Sequence, residues 1–280
     1  MRFVSFYDGA DVRPGYIEDN RVHAIACASL VEYIASSPEV RRRRHTAEGF
    51  PLHETRLAAP VRPQKNVFCV GRNYLEHARE GARALGRELK LPEVPTFFTK
   101  APTAVADPDS QLRFSARLSA EYDWEGELAV IIGRRIKDCS IDRASETVFG
   151  YTCLNDITAR NLQRAHGQWF KGKSLDQSCP LGPWIVTPES AGDAQSMALR
   201  LRVNGAVKQS ANTRDMIFPI ARIIAELSKG MTLEPGDVIA TGTPEGVGFA
   251  RTPPEFFADG DSVEVEIERI GTLRNSISIA

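Results

Sequence analysis

The sequence has no apolar run approaching the roughly 20 residues needed to span a bilayer, and it has no repeat and no low-complexity tract. Nor does one sign of charge dominate. Its 35 Lys and Arg stand against 36 Asp and Glu, a net charge of −1, so nothing electrostatic points to nucleic acid or an anionic membrane as a partner. Cysteine is sparse and unpatterned. Cys27, Cys69, Cys139, Cys153 and Cys179 form no C-x-x-C pair and no Cys/His cluster with zinc spacing, so reduced thiols in a reducing compartment are expected. The first nine residues read as a strand and a turn rather than a signal peptide, and the expected location is cytoplasmic. The one basic run, residues 41–44, lies among acidic and apolar neighbours and reads as a solvated helix face or loop.

What remains is an ordinary globular composition, 42% hydrophobic and 25% charged, in a chain of 280 residues. That length accommodates one large domain or two unequal ones. Residues 1–60 read as a small N-terminal, β-rich domain with a hairpin through Asp19 and Asn20. Pro60 and Pro63 then mark a boundary, and residues 65–280 form the larger domain. Asn204 and Gly205 signal a second hairpin. Met216, Ile220, Ile223, Ile224 and Leu227 fall at helical spacing, with Pro219 in the first turns and Gly230 able to end the helix. The fold class is mostly β (α+β), with peripheral helices.

The most informative segment is 123–133. Residues 128–132 are five consecutive aliphatics, which read as a strand buried on both faces. Glu125 and Glu127, two apart on an extended chain, project their carboxylates from one face at its mouth. Two carboxylates so placed repel and resist desolvation unless a cation or a shared proton compensates, and a hard divalent ion is the economical answer. The other reading leaves both in solvent beyond the strand end. A second strand, residues 149–154, ends at Asn155 and Asp156, so Asp156 becomes a third oxygen ligand if the two strand ends lie side by side. Three carboxylates suit Mg²⁺ or Mn²⁺ better than zinc.

Other constellations stand beside this one. After a glycine turn at Gly71, His77 and Glu80 share a helix face, an arrangement that suits either a water-activating base or a surface pair. Residues 81–95 then read as a long polar loop of the kind used for lids. Residues 167–174 formally match the phosphate-binding G-x-x-x-x-G-K-[ST] pattern. No hydrophobic strand precedes them, and Pro180 and Pro183 follow, so a nucleotide site is a remote alternative. Lys173 is a cation able to offset the carboxylates or a developing enolate. Residues 240–248 are a glycine-rich turn after a buried strand, and its amides and the Thr243 hydroxyl suit a carboxylate or a tight structural turn equally.

In order, residues 67–74 with His77 and Glu80, 97–100, 125–133, 150–160, 173–184 and 233–248 resemble the fumarylacetoacetate hydrolase family. The likeness is to bacterial two-domain members of the acylpyruvase and 2-hydroxyhepta-2,4-diene-1,7-dioate isomerase kind. It implies a mixed β-sandwich roll, a homodimer, and Mg²⁺ or Mn²⁺ held by Glu125, Glu127 and Asp156. It also implies His77 and Glu80 as a catalytic dyad on a mobile lid, and Lys173 as an active-site cation. Arg160, Gln163 and Thr243, with Arg72 and Tyr74, would line the pocket of a small 2-oxo acid. The activity implied first is hydrolysis of 2,4-dioxo acids of acylpyruvate or fumarylpyruvate type, with C–C cleavage through an enolate. The alternative is a 2-hydroxymuconate-type isomerase or decarboxylase, or an oxaloacetate decarboxylase, which needs enolate formation but no activated water.

Overall fold

The strand Gly126–Ile132 is buried along its whole length because both of its faces carry apolar side chains. Leu128, Val130 and Ile132 face one core, shared with Leu199, Leu201 and Val265 and with Ile223, Ile224 and Leu227. Ala129 and Ile131 face another, with Phe149, Leu154 and Ile185. Glu127 continues this second face, as its position two residues before Ala129 requires. The computed structural model describes residues 1–86 and 88–280, without the side chains of Ala47 and Glu48.

Among the described residues, twelve strands form one mixed sheet and five form a second. Gly126–Ile132 and Val148–Asn155 are central neighbours in the larger sheet, antiparallel, with Gly126 opposite Asn155 and Glu127 opposite Leu154. That register sets Asp156 beside Glu125, whose carbonyl accepts the Asp156 N–H at 2.8 Å. On the other side Val238–Ala240 pairs with Gly126–Ile132 and, in parallel, with Val67–Gly71. The smaller sheet runs Ala206–Asn212, Ala198–Val203, Ser262–Ile267, Gly271–Ile279, Gln111–Phe114. It covers the Leu128 face. The fold is α+β and mostly strand. No helix of the described residues is long and apolar enough to cross a membrane.

Strands of the first sixty residues extend the larger sheet, since Arg2–Asp8 pairs with Cys179–Val186 through Arg2 with Val186 and Phe3 with Ile185. The expected hairpins turn where left-handed backbone is required. Asp19 and Asn20 have φ of 48° and 58°, and Asn204 and Gly205 have 50° and 76°. The helix Ile220–Ser228 starts directly after Pro219. Two local expectations change. The helix that begins at Leu75 continues through Gly81 to Ala84, so the loop is shorter than residues 81–95, and Arg87 within it lies outside the described residues. The P-loop-like segment folds as a short helical turn, Phe170–Lys173, with the Trp169 ring edge-on to Phe98 at 5.2 Å.

Candidate active site

The strand register delivers three carboxylates to one point. Glu125, Glu127 and Asp156 are all buried, and each offers an oxygen within 4.8 Å of the others. Such a cluster is unstable alone, and the surrounding charges explain how it is tolerated. Lys173 Nζ lies 2.7 Å from Glu125 Oε2 and 2.7 Å from Asp156 Oδ2. Lys100, fully buried, donates to Asp156 Oδ1 at 2.7 Å and to the Ile157 carbonyl at 3.1 Å. Arg160 Nη2 is 2.7 Å from Glu125 Oε1, close in distance but outside hydrogen-bond geometry. Its Nε donates to Asp123 Oδ2 at 2.8 Å.

Glu127 has no cationic partner among the described residues. Among the described residues it accepts one hydrogen bond, from the Gly242 N–H at 2.7 Å. Gly242 reaches it with φ of 102°, and a Cβ there would meet Asn73 Cβ at 2.7 Å, so no other residue fits the turn without strain. Burial, then the Asp156 and Glu125 charges, push the Glu127 carboxyl well above the usual carboxylate range. Glu125 behaves oppositely. Burial alone would raise it, but Lys173 and then Arg160 outweigh burial and hold it below its ordinary value. For Lys173, burial pulls down and the Asp156 and Glu125 charges more than restore it, so the amine is held above its usual value.

This donor set fits a divalent cation. Asp123, Glu125, Glu127 and Asp156 are four buried carboxylates against three buried cations, Lys100, Arg160 and Lys173, which leaves one negative charge over. With all four ionised, the excess would fall on Glu127, and an all-oxygen set of this kind suits Mg²⁺ or Mn²⁺.

A cavity of ≈ 650 Å³ opens above the carboxylates, lined among others by His77, Arg72, Arg160, Gln163, Lys173 and Thr243. His77 reaches it from the helix Leu75–Ala84, with Nδ1 2.9 Å from Glu80 Oε1. Glu80 Oε2 accepts from the Gly246 N–H at 2.9 Å, so both of its oxygens are engaged. Asn73 fixes the entry to that helix by bonding the Thr241 carbonyl and both the N–H and the carbonyl of Phe218. Arg72, at φ 57°, sets its guanidinium 5.5 Å from the centre of the Trp169 ring at the cavity wall. Arg160 also donates to Gln163 at 3.1 Å and lies over the Phe249 ring.

Of the residues expected at the pocket wall, Tyr74 alone is off it. It is 1% exposed, and its hydroxyl finds no hydrogen-bond partner among the described residues. Asp156 and Glu80 stand just behind the lining residues, in contact with Lys173 and His77 respectively. Three participants were not named as site residues from the sequence, although Asp123 and Lys100 lie in segments it singled out. Lys100 ends a strand, Asp123 precedes the glutamates, and Gln209 comes from the other sheet, and each acquires its role through contacts distant in sequence. Asp123 takes bonds from Arg160 and from the N–H groups of Trp124, Gly248 and Phe249, which saturate its carboxylate.

Residues 66–278 match the family described as fumarylacetoacetate (FAA) hydrolase C-terminal. An oxaloacetate tautomerase of Bacillus subtilis, YisK, is 47% identical over 263 residues, 89% of this chain and 86% of that protein. Among solved structures, a fumarylacetoacetate hydrolase from the psychrophile Exiguobacterium antarcticum is 40% identical, with a TM-score of 0.87 and full coverage of both chains. A 5-carboxymethyl-2-hydroxymuconate delta-isomerase from Mycobacterium smegmatis is 37% identical, with a TM-score of 0.84 and full coverage of both.

Proposed function

The chain belongs to the fumarylacetoacetate hydrolase family, and from that premise we propose that it moves a proton at C3 of small 2-oxo dicarboxylic acids. It would do so as an oxaloacetate tautomerase or a 2-hydroxymuconate-type isomerase, dependent on a divalent metal. The residues alone favoured hydrolysis. The named relatives support enol chemistry more strongly, so hydrolysis of acylpyruvates becomes the second reading, favoured by the His77–Glu80 pair. The observation that carries the proposal is one cavity with a cluster of buried carboxylates on its floor and an oriented imidazole on its wall. The division into residues 1–60 and a catalytic domain of 65–280 belongs to the same proposal.

Mg²⁺ or Mn²⁺ held by Glu125, Glu127 and Asp156 would supply Lewis-acid polarisation of a 1-carboxylate and 2-oxo group. The chain supplies the rest. With His77 Nδ1–H donated to Glu80, Nε2 carries the lone pair and is the base that takes a proton from C3 and returns it elsewhere. Lys173, placed by Glu125 and Asp156, puts positive charge beside oxygens on which negative charge develops. Arg160, anchored by Asp123, and Gln163 bind and orient the acid. In hydrolysis the same Nε2 would take its proton from water.

A substrate panel tests the reading: enol–keto exchange of oxaloacetate, isomerisation of hydroxymuconate-type dienoates, acylpyruvate hydrolysis, and ATP hydrolysis as control. Turnover is expected on the first two. Acylpyruvate hydrolysis alone would reverse the order, and Lys173-dependent ATP hydrolysis would refute it.

A further inference from the structure

Gln209 makes a polar link between the second sheet and the site. Gln209, 1% exposed in the strand Ala206–Asn212, accepts the Gly126 N–H on Oε1 at 2.8 Å. Its Nε2 donates to the Pro244 carbonyl at 2.8 Å and to Thr243 Oγ1 at 2.8 Å. Two of these partners are backbone groups of fixed polarity, an N–H that can only donate and a carbonyl that can only accept, so the orientation of the amide is determined. Both Nε2 hydrogens are committed. Thr243 Oγ1 therefore cannot donate to Gln209, and its own hydrogen goes to the Gly126 carbonyl at 3.1 Å. Gly126 stands between the two glutamates, and a Cβ on it would meet Gln209 Oε1 at 3.3 Å. A side chain at this position would require the amide to shift by a few tenths of an ångström.

We propose that Gln209 is a positioning residue of the active site, fixing the Thr243 hydroxyl on the cavity wall relative to the Glu125–Gly126–Glu127 segment. The inference rests on the proposed 2-oxo acid site and adds to it the residue that sets one wall at a constant distance from the carboxylates. Gln209 touches no ligand. It acts through Thr243 and Gly126.

The test is a double-mutant cycle on oxalate affinity, measured by titration calorimetry with Mn²⁺ saturating, in the wild type, Gln209→Glu, Thr243→Val and the double variant. Gln209→Glu keeps an acceptor for the Gly126 N–H and removes both donors. It is expected to weaken oxalate about tenfold, the scale of one hydrogen bond lost at a buried site. Thr243→Val should weaken it comparably, and the double variant should bind no worse than Thr243→Val. Independent, multiplying losses, or wild-type binding by either single variant, would overturn the proposal. If Gln209→Glu shows no cooperative thermal transition, Gln209→Met is carried through the same cycle. If neither folds, Gln209 is structural only and the proposal is wrong. Wild-type protein that ignores oxalate would instead overturn the function on which the inference rests.

Discussion

Gly246 donates its backbone N–H to Glu80 Oε2 at 2.9 Å, which fastens the helix carrying His77 to the loop carrying Thr243. The same loop bonds Glu127 through Gly242 and Asp123 through Gly248. The helix carrying His77, the carboxylate floor and the cavity wall thus share one loop. Both Glu80 oxygens are engaged, so in the proposed mechanism Glu80 would orient the imidazole and His77 would carry the proton.

His77→Ala should lower turnover by about two to four orders of magnitude, the usual span for a general base. Oxalate affinity in the presence of Mn²⁺ should stay within a few-fold of wild type. Glu80→Gln should fall between the two. A His77→Ala enzyme that loses oxalate binding along with turnover would mean that the imidazole binds the ligand and is not the base.

Glu127→Gln separates metal binding from folding. The carboxyl is pushed up by burial and by Asp156 and Glu125, so neutralising it relieves repulsion. The metal-free variant should melt no lower than metal-free wild type, while Mn²⁺ affinity falls by at least about tenfold. Thermal melts with and without Mn²⁺ report both. A lower melting temperature with unchanged Mn²⁺ affinity would assign Glu127 a structural role.

The segment of residues 88–95, with Leu85, should close over the cavity when ligand binds. Leu85 and Leu89 line the cavity yet are exposed, as are Leu91 and Val94, so closure has apolar area left to bury. Hydrogen exchange over residues 74–95 should slow when Mn²⁺ and oxalate are added together. Exchange already slow in the free protein, and unchanged by ligand, would describe a rigid wall.

A pH dependence resides in the N-terminal strands. Burial holds the His45 imidazole below its ordinary value, Glu18 opposing, and its Nε2 lies 2.9 Å from the Tyr33 hydroxyl. A histidine lowered on folding binds fewer protons folded than unfolded, so its stabilisation is present above about pH 6.5 and lost as pH falls below it. The fall in melting temperature between about pH 7 and pH 5 should therefore be smaller in His45→Gln than in wild type. Equal slopes would remove His45 from the account.

The carboxylate cluster was legible because period-two spacing fixes a face, and strand ends can be read from where apolar runs stop. Glu125, Glu127 and Asp156 needed only adjacent strands to meet. The hairpin turns were legible for a similar local reason, since Asn and Gly tolerate positive φ. Gln209 was not, because it lies 83 residues from Gly126 and meets it only when the two sheets pack. The helix end at Ala84 escaped because Gly81 reads as a breaker, although a helix tolerates a single glycine at a cost of about 1 kcal/mol.

The central claim is that three buried carboxylates hold a divalent ion on which 2-oxo acid chemistry depends. It is tested most directly by oxaloacetate enol–keto exchange, measured on protein stripped by chelation and then reloaded. The account predicts that stripping abolishes the exchange and that Mg²⁺ or Mn²⁺ restores it in wild type, with Glu127→Gln needing far more metal. Undiminished exchange by fully metal-free protein would contradict it.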